Sequence, residues 1–261
     1  LKKSDVKIVV FAVYAEENYQ SKGDGLKKTI QMVDNFYNMI ESCDELQLAK
    51  NSRDLDNIIK NNKIAALLDL EGAKSIFDLS ALRIFYKLGL RLITLTWNHR
   101  NQFADGVGEH TNCGLTDKGK ELIKEMNRLN ILIDISHINE AGFWDVIKLS
   151  REPIIASHSN AKAVCDHQRN LTDQQIKAIA DKKGVIGVNF CPAFLTKEKK
   201  ASIKDVMNHI DYIKNLVGDE FVALGTDFDG IRSVPEGIEN AGKLINLKEL
   251  MVNKGYKTQE I

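Results

Sequence analysis

Short apolar runs alternate with longer amphipathic stretches along the chain. The runs are rich in Val, Ile and Leu and do not alternate strictly with polar residues, so they predict strands that are buried on both faces. Seven such runs lie at 6–15, 64–72, 91–98, 131–137, 153–159, 184–190 and 221–230.

The stretches between these runs have the apolar spacing and the end signals of helices. Behind Thr116, a plausible N-cap, one helical face carries Leu122, Ile123, Met126 and Leu129. Thr172 and Gln175 have the spacing of a capping box, and helices are expected to stop at Gly89 and Gly184. Strands that alternate with helices predict parallel βαβ units.

Two α/β architectures fit this alternation, a doubly wound open sheet and a (β/α)8 TIM-like barrel in which one strand is missing from the chain. Polar residues lie at or just past the C-terminal ends of successive runs: Glu71, Trp97, Asn98, His137, His158, Asn189 and Asp227. Barrels assemble their sites at this face from several strands, whereas an open sheet usually relies on a Gly-rich phosphate loop. No such loop follows the early runs, so we predict a barrel, as one domain over residues 1–261.

Composition narrows the class of protein further. The 261 residues are 43% hydrophobic, and 36 Lys and Arg balance 36 Asp and Glu, so no net charge favours nucleic acid or an anionic membrane. The four cysteines are spaced singly, which argues against a thiolate zinc site and a dense disulfide framework and favours a reduced, cytoplasmic setting. No run approaches the ~18 apolar residues of a membrane helix.

The strand-end residues include nitrogen and oxygen atoms that could bind a metal ion. His137, His158, Glu71 and Asp227 together suit Zn²⁺ or a similar divalent ion, although either histidine alone could be a satisfied polar residue. Arg169 could pair with a substrate carboxylate or form a surface ion pair.

The remaining polar candidates receive different interpretations. His99 is a loop residue at the same end and a candidate for substrate contact, whereas His110 and His167 are expected to be solvated. His209 and Asp211 look like the His-x-Asp pair of metal barrels, but residues 205–217 follow the spacing of a helix face. Asp229 is expected to cap the turn after Asp227.

Four blocks, in order, resemble the membrane (renal) dipeptidase family of zinc hydrolases, within the amidohydrolase-type metal barrels. They are EGAKSIFDLSALRIFYKLGLRLITLTWNHRNQFADG (71–106), GLTDKGKELIKEMNRLNILIDISH (114–137), PIIASHSNAKAVCDHQRNLTD (153–173) and GTDFDGI (225–231). The stretch TLTWN (94–98) in the first block resembles the sequence of bacterial members at that place.

This resemblance implies a zinc-dependent dipeptidase that cleaves its substrate with a metal-bound hydroxide. Glu71 would bridge two zinc ions, and His137 and His158 would bind the second ion. Arg169 would hold the terminal carboxylate of a dipeptide, and Asp227 would transfer protons. Trp97, Asn98 and His99 are the expected substrate contacts beside them.

The chain departs from the family's pattern at two places. A His-x-Asp pair at the end of the first strand would hold the first ion, and the sequence lacks it there. We therefore expect both ends of the chain to continue in a longer protein. Trp97 stands where mammalian members carry a substrate-polarising histidine, and Asn98 or His99 could substitute.

Three functions compete on this evidence. One is a dipeptidase, a second is a barrel amidohydrolase or metal-dependent nuclease with other substrates, and the third is a binding protein with a degraded metal site. Arg169 favours a free carboxylate, and the lack of a basic stripe disfavours a nuclease. We expect a dipeptide as the partner, with neither nucleic acid nor membrane, and leave a homodimer open.

Overall fold

A computed structural model of the chain describes residues 1–15 and 24–261. The chain divides into two compact units, one made of residues 6–152 and the other of residues 1–5 and 153–261. That residues 1–261 form one domain stays a prediction.

The unit of residues 6–152 is a parallel sheet with helices between its strands. Its strands are β1 (Ile8–Tyr14), β2 (Leu46–Leu48), β3 (Ile64–Glu71), β4 (Leu90–Thr94) and β5 (Leu132–Asp134). Its helices are α1 (Asp24–Glu41), α2 (Ser52–Lys60), α3 (Leu79–Lys87), α4 (Asp117–Leu129) and α5 (Glu140–Leu149). Strand β3 pairs in parallel with β1, β2 and β4, and β4 pairs in parallel with β5.

The second unit repeats this pattern with shorter strands. Its strands are β6 (Ile154–Ile155), β7 (Ile186–Asn189) and β8 (Val222–Gly225), and its helices are α6 (Asp173–Asp181), α7 (Pro192–Leu195), α8 (Ile203–Val217) and α9 (Leu244–Asn253). β7 pairs in parallel with β8, and Ala156, directly after β6, forms a parallel bridge to Ile186 at the start of β7.

Each unit has an apolar core between strands and helices. Leu68, Leu70 and Ile93 of the first unit are at most 1% exposed, and so are Ile186 and Val188 of the second. Each such side chain stabilises the fold by about 1.5–3 kcal/mol relative to leaving it in water. The strand residues between these positions are therefore fixed in register, and the polar residues that follow them are fixed too.

The predicted helix signals are confirmed. Thr116 Oγ1 accepts a hydrogen bond from the Gly119 amide at the start of α4, and Thr172 and Gln175 form the capping box of α6. Gly89, just past α3, has the left-handed φ of 97° that a C-terminal glycine supplies.

Two strand predictions are wrong. Strand β2 was not predicted, because its three residues lie in polar sequence and are too few to give an apolar run. Strands β1 and β8 were predicted to be buried on both faces, yet Ile8 and Val10 of β1 are 44% and 42% exposed and Leu224 of β8 is 43% exposed. An apolar run indicates a strand, but the burial of its second face depends on elements that pack there, which the run itself does not specify.

Candidate active site

Glu71 is the last residue of β3. It pairs in register with Tyr14 of β1 and with Thr94 of β4, so neighbouring strands hold its backbone on both sides. The next residue, Gly72, has a φ of 80° and turns the chain out of the strand. The Glu71 side chain is 17% exposed, which leaves the carboxylate accessible at the carboxyl end of the sheet.

His137 lies three residues beyond β5 and its ring faces Glu71. Its Nε2 atom is 3.2 Å from Glu71 Oε1, and its side chain is 9% exposed. The backbone has a left-handed φ of 69°, which is unfavourable for a residue with a β-carbon. Such a conformation persists only where surrounding contacts hold it, and these are found at functional sites. Glu71 and His137 are far apart in the sequence, yet the fold brings the carboxylate oxygen of one next to the imidazole nitrogen of the other.

The other ring nitrogen of His137 is bound by Asn98. His137 Nδ1 and Asn98 Oδ1 are 2.8 Å apart, and because a carbonyl oxygen only accepts, Nδ1–H is the donor. Nε2 of a neutral ring then carries the lone pair on the side of Glu71. A carboxylate oxygen and an imidazole nitrogen are ligands that Zn²⁺ and related ions prefer, so this pair fits the predicted metal.

Trp97, Asn98 and His99 follow β4 in sequence but contact different residues. The Trp97 ring stacks on His137, with ring centres 5.8 Å apart, and also contacts Tyr14 at 5.3 Å. His99 is exposed, and its Nδ1 is 3.4 Å from Glu109 Oε1. The structure therefore brings Trp97 and Asn98 to His137, and pairs His99 with Glu109.

His158 follows β6 in the second unit, as His137 follows β5 in the first. Its Nδ1 is 2.7 Å from the Oγ atom of Ser157. The backbone at Ser157 passes so close to Gly187 and Gly225 that a β-carbon on either glycine would clash with the Ser157 carbonyl oxygen. The strands β7 and β8 therefore need glycine where the chain passes before His158.

Arg169 is buried in the same unit, at 6% exposure. Its Nη2 donates to the His158 carbonyl oxygen at 3.3 Å, and its guanidinium carbon lies 5.5 Å from the centre of the Phe194 ring. This burial contradicts the surface ion pair that was the alternative interpretation of Arg169. A buried guanidinium is suited to a substrate carboxylate, because the pair is poorly screened there.

Asp227 lies two residues beyond β8, with a left-handed φ of 55°. Asn189 Nδ2 donates to Asp227 Oδ2 at 3.1 Å. Burial raises the pKa of the Asp227 carboxyl above its usual value, while the Asn189 hydrogen bond and the charge of Arg169 lower it. Asp229 is exposed. A carboxylate with a raised pKa is closer to the value that serves proton transfer near neutrality.

The other histidines fall outside these groups. His209 lies on α8 and is fully buried: its Nδ1 accepts from the Ala161 amide at 3.2 Å and its Nε2 donates to the Leu195 carbonyl at 3.1 Å. The prediction that residues 205–217 form a helix with His209 on its buried face is thus confirmed. His110 is exposed, as expected.

His167 was expected to be solvated, and the structure shows it half-buried. Its ring lies 4.5 Å from the Phe194 ring and accepts a hydrogen bond from the Arg169 amide at 3.1 Å. Burial, together with the charges of Lys197 and Arg169, lowers its pKa. The polar sequence around His167 gave no sign of the aromatic partner, which lies 27 residues further along the chain.

Sequence reasoning also missed two side chains beside the candidates, Tyr14 against Trp97 and Ser157 against His158. Ser157 could have been considered because it directly precedes His158. Tyr14 carried a weaker signal, its position at the end of an apolar run.

Parallel strands with a carboxylate and an imidazole just beyond their carboxyl ends are features of metal-dependent α/β enzymes. The whole chain, residues 1–261, matches the profile of the membrane dipeptidase family, peptidase family M19. The chain therefore belongs to this family. Among the residues that the structure describes, no helix has the length and apolar character needed to cross a bilayer.

Relatives in sequence support this membership. A protein of Klebsiella pneumoniae, described as an uncharacterized protein in the pqqA 5′ region, is 39% identical over 227 residues, which are 82% of this chain and 83% of that protein. Dipeptidase tcpJ of Claviceps purpurea is 31% identical over 241 residues, 90% of this chain. The match spans 57% of the Claviceps dipeptidase, so that relative is considerably longer than the matched region.

A solved structure is similar over almost the whole chain. It is a metallopeptidase from Rhodobacter sphaeroides in complex with a phosphinate mimic of the dipeptide L-Ala-D-Ala. The TM-score is 0.92 at 28% sequence identity, and the match covers 99% of this chain and 84% of the other. This likeness confirms the predicted α/β fold class with parallel strands, which in this family is TIM-barrel-like.

Proposed function

We propose that this protein is a zinc-dependent dipeptidase that hydrolyses the peptide bond of dipeptides. The observation that carries the proposal is the approach of His137 Nε2 to Glu71 Oε1 at 3.2 Å, in a chain of the membrane dipeptidase family. The dipeptide mimic bound by the Rhodobacter metallopeptidase supports the substrate class.

Glu71 and His137 are the proposed metal-binding pair, with His158 as a further ligand. His158 is supported by its place just beyond β6 and by Ser157, which holds its Nδ1 and leaves Nε2 as the coordinating atom. We propose that two zinc ions would be held here, with Glu71, His137 and His158 among their ligands. When bound, such ions polarise a carbonyl oxygen and make a water molecule more acidic.

Asp227 is the proposed proton carrier. Its Oδ2 accepts from Asn189, so Oδ1 is the oxygen proposed to take the proton of the attacking water and pass it to the leaving amine. Oδ1 lies against Gly230, where any β-carbon would clash with it. The raised pKa of Asp227 makes its carboxylate a stronger base, which favours uptake of the proton from the attacking water.

Arg169 is proposed to bind the free carboxylate of the dipeptide. A guanidinium offers two parallel N–H donors to the two oxygens of a carboxylate, and its burial makes this interaction stronger than at the surface. This preference distinguishes a dipeptidase from an amidohydrolase whose substrates lack the carboxylate. Trp97 and His99 are proposed to line the substrate side, whereas the Asn98 side chain binds the His137 ring.

A cytoplasmic location also belongs to the proposal. It is supported by the four cysteines at 43, 113, 165 and 191, which are all free thiols. Fractionation of cells with an antibody against the protein tests the location. Recovery in an extracellular or membrane fraction would contradict it.

Removal and return of metal test the proposed activity. The protein is dialysed against a chelator and assayed for release of free amino acids from L-Ala-D-Ala and L-Ala-L-Ala. Hydrolysis should be lost after dialysis and should return with added Zn²⁺. Hydrolysis that continues at the same rate without metal would contradict the metal-dependent mechanism, and no hydrolysis of any dipeptide by the metal-loaded protein would contradict the dipeptidase.

A further inference from the structure

We propose that Asn98 is a positioning residue for His137, which sets the tautomer and direction of the ring rather than binding substrate through its side-chain oxygen. The inference rests on the proposed function, because the proposed function makes the Nε2 atom of His137 a metal ligand. It also changes the expectation that Asn98 contacts the substrate.

The contact itself defines what Asn98 can do. Asn98 Oδ1 lies 2.8 Å from His137 Nδ1, and an amide oxygen has no proton to donate. The hydrogen bond therefore requires Nδ1–H, and in a neutral imidazole this leaves the lone pair on Nε2. Nε2 is the atom that lies 3.2 Å from Glu71 Oε1, so the correct tautomer presents its lone pair beside the carboxylate.

Backbone hydrogen bonds hold both partners of this contact against one short loop. The Gly108 amide donates to the Asn98 carbonyl at 2.8 Å, and the Val107 amide donates to the His137 carbonyl at 2.7 Å. Successive residues of the loop thus tie Asn98 and His137 to each other, although they are 39 positions apart.

The loop approaches Asn98 so closely that it requires glycine. A β-carbon on Gly106 would clash with the Trp97 carbonyl oxygen and with the Asn98 carbonyl carbon, and one on Gly108 would lie 2.8 Å from the Asn98 carbonyl oxygen. Trp97, whose ring stacks on His137, belongs to the same peptide segment. Asn98 therefore has a fixed backbone from which its side chain reaches one ring nitrogen.

Hydrogen-bond partners of metal-binding histidines fix ring orientation and raise ligand basicity, and their loss typically lowers metal affinity by roughly 10- to 100-fold. We expect Asn98→Ala to weaken Zn²⁺ binding by this factor. Asn98→Asp keeps an acceptor oxygen at the same position, so it should bind Zn²⁺ much closer to the wild-type affinity. A residue that only contacts substrate would leave the Zn²⁺ affinity unchanged in both variants.

Asn101→Ala is the matched control for damage to the loop. In the part of the chain that the structure describes, the Asn101 side chain hydrogen-bonds to backbone groups: the amides of Phe103 and Ala104 and the carbonyl of Leu95. Asn101→Ala should lower the melting temperature of the protein. It should reduce the Zn²⁺ affinity far less than Asn98→Ala does. Equal loss of affinity in both variants would mean that loop stability, not the tautomer, is responsible.

The experiment combines two readouts on the same proteins. Zn²⁺ affinity is measured by titration against a competing chelator. The tautomer is read from long-range ¹H–¹⁵N correlation spectra of metal-free protein near pH ~8.5, where an ordinary imidazole is neutral. The His137 signals are assigned by their loss in His137→Gln. We expect Nδ1–H in the wild type and Asn98→Asp, and a mixture or Nε2–H in Asn98→Ala.

The two readouts separate this inference from the proposed function. Wild-type protein that binds no Zn²⁺ but has the Nδ1–H tautomer, lost in Asn98→Ala, would support the positioning role and contradict the metallopeptidase. Nε2–H in the wild type, or an unchanged tautomer in Asn98→Ala, would overturn the inference. So would a wild-type Zn²⁺ affinity in Asn98→Ala, whether or not the protein cleaves dipeptides.

Discussion

Asn189 and Asp227 are joined by a hydrogen bond whose direction is unambiguous. Asn189 Oδ1 accepts from the Cys191 amide, so the Nδ2 atom of the same side chain is the donor that faces Asp227 Oδ2, at 3.1 Å. The Asn189 backbone is in turn bound on both sides by the Asn160 side chain, at 2.7 and 3.0 Å. This chain of amides holds the Asp227 carboxylate, which has a left-handed backbone and no regular strand to fix it.

The first prediction concerns this contact. Asn189→Ala should lower kcat for a dipeptide by roughly 10- to 100-fold, because a carboxylate that is displaced by even 1 Å transfers protons poorly. KM should change little, since Arg169 still binds the substrate. Steady-state kinetics measure both constants.

Asn127→Ala serves as the control for the loss of a half-buried, hydrogen-bonded amide. The Asn127 side chain hydrogen-bonds within its own unit, residues 6–152, to backbone groups at Ile123, Arg151 and Glu152 and to the Ser150 hydroxyl. It should lower stability and leave kcat unchanged. An unchanged kcat in Asn189→Ala would instead mean that Asp227 needs no support from Asn189 or takes no part in the reaction.

The second prediction tests Arg169 with a pair of substrates. A hydrogen-bonded pair with a charged group contributes on the order of 1.5–3 kcal/mol. Arg169→Met should therefore reduce kcat/KM for a dipeptide by roughly 10- to 150-fold. Its effect on the C-terminal amide of the same dipeptide should be much smaller, because that substrate has no carboxylate to lose.

Arg83→Met is a suitable control, because Arg83 is an exposed arginine that pairs with Glu125 on the surface. It should leave turnover of both substrates unchanged. Equal losses on dipeptide and amide in Arg169→Met would show that Arg169 supports the structure and does not read the carboxylate.

The third prediction is a pH dependence of stability that originates at His209. Burial lowers the pKa of His209 below its ordinary value of 6.5, so the folded protein holds this ring neutral. The unfolded chain then binds more protons than the folded protein below that value, and stability falls as the pH falls. The slope from this one group is at most about 1.4 kcal/mol per pH unit.

Urea denaturation between about pH 7 and pH 5 measures this slope. His209→Gln cannot titrate, so its free energy of unfolding should be lower at neutral pH but should decline less steeply on acidification. Some slope should remain, because the pKa of His167 is lowered as well. Identical slopes for the two proteins would rule out His209 as the source.

Much of the fold could be predicted because its signals are local. The helix caps at Thr116 and Thr172 are set by a hydroxyl and the amide three residues later, which a sequence displays directly. The seven apolar runs each coincide with a strand, since burial in a parallel sheet requires continuous apolar sequence. Strand β2 escaped because three residues do not make a pattern.

The candidate site was predictable in its members but not in their contacts. Glu71, His137, His158 and Asp227 stand out because polar residues interrupt apolar sequence at strand ends. The pairing of Asn98 with His137, and of His167 with Phe194, depends on which loop residues meet after folding. Neither periodicity nor spacing encodes such pairs, so the sequence does not predict how the rings of His137 and His167 are oriented.

Bound metal and dipeptide hydrolysis, measured on the same preparations of wild type and Glu71→Gln, test the central claim most directly. A neutral amide is a poor substitute for a carboxylate that binds cations, so Glu71→Gln should lose most of its metal and nearly all activity. Its circular dichroism spectrum should match that of the wild type, because Gln and Glu differ little in size. Full metal content and normal hydrolysis in Glu71→Gln would contradict the assignment of Glu71 as the metal-binding carboxylate and, with it, the proposed mechanism.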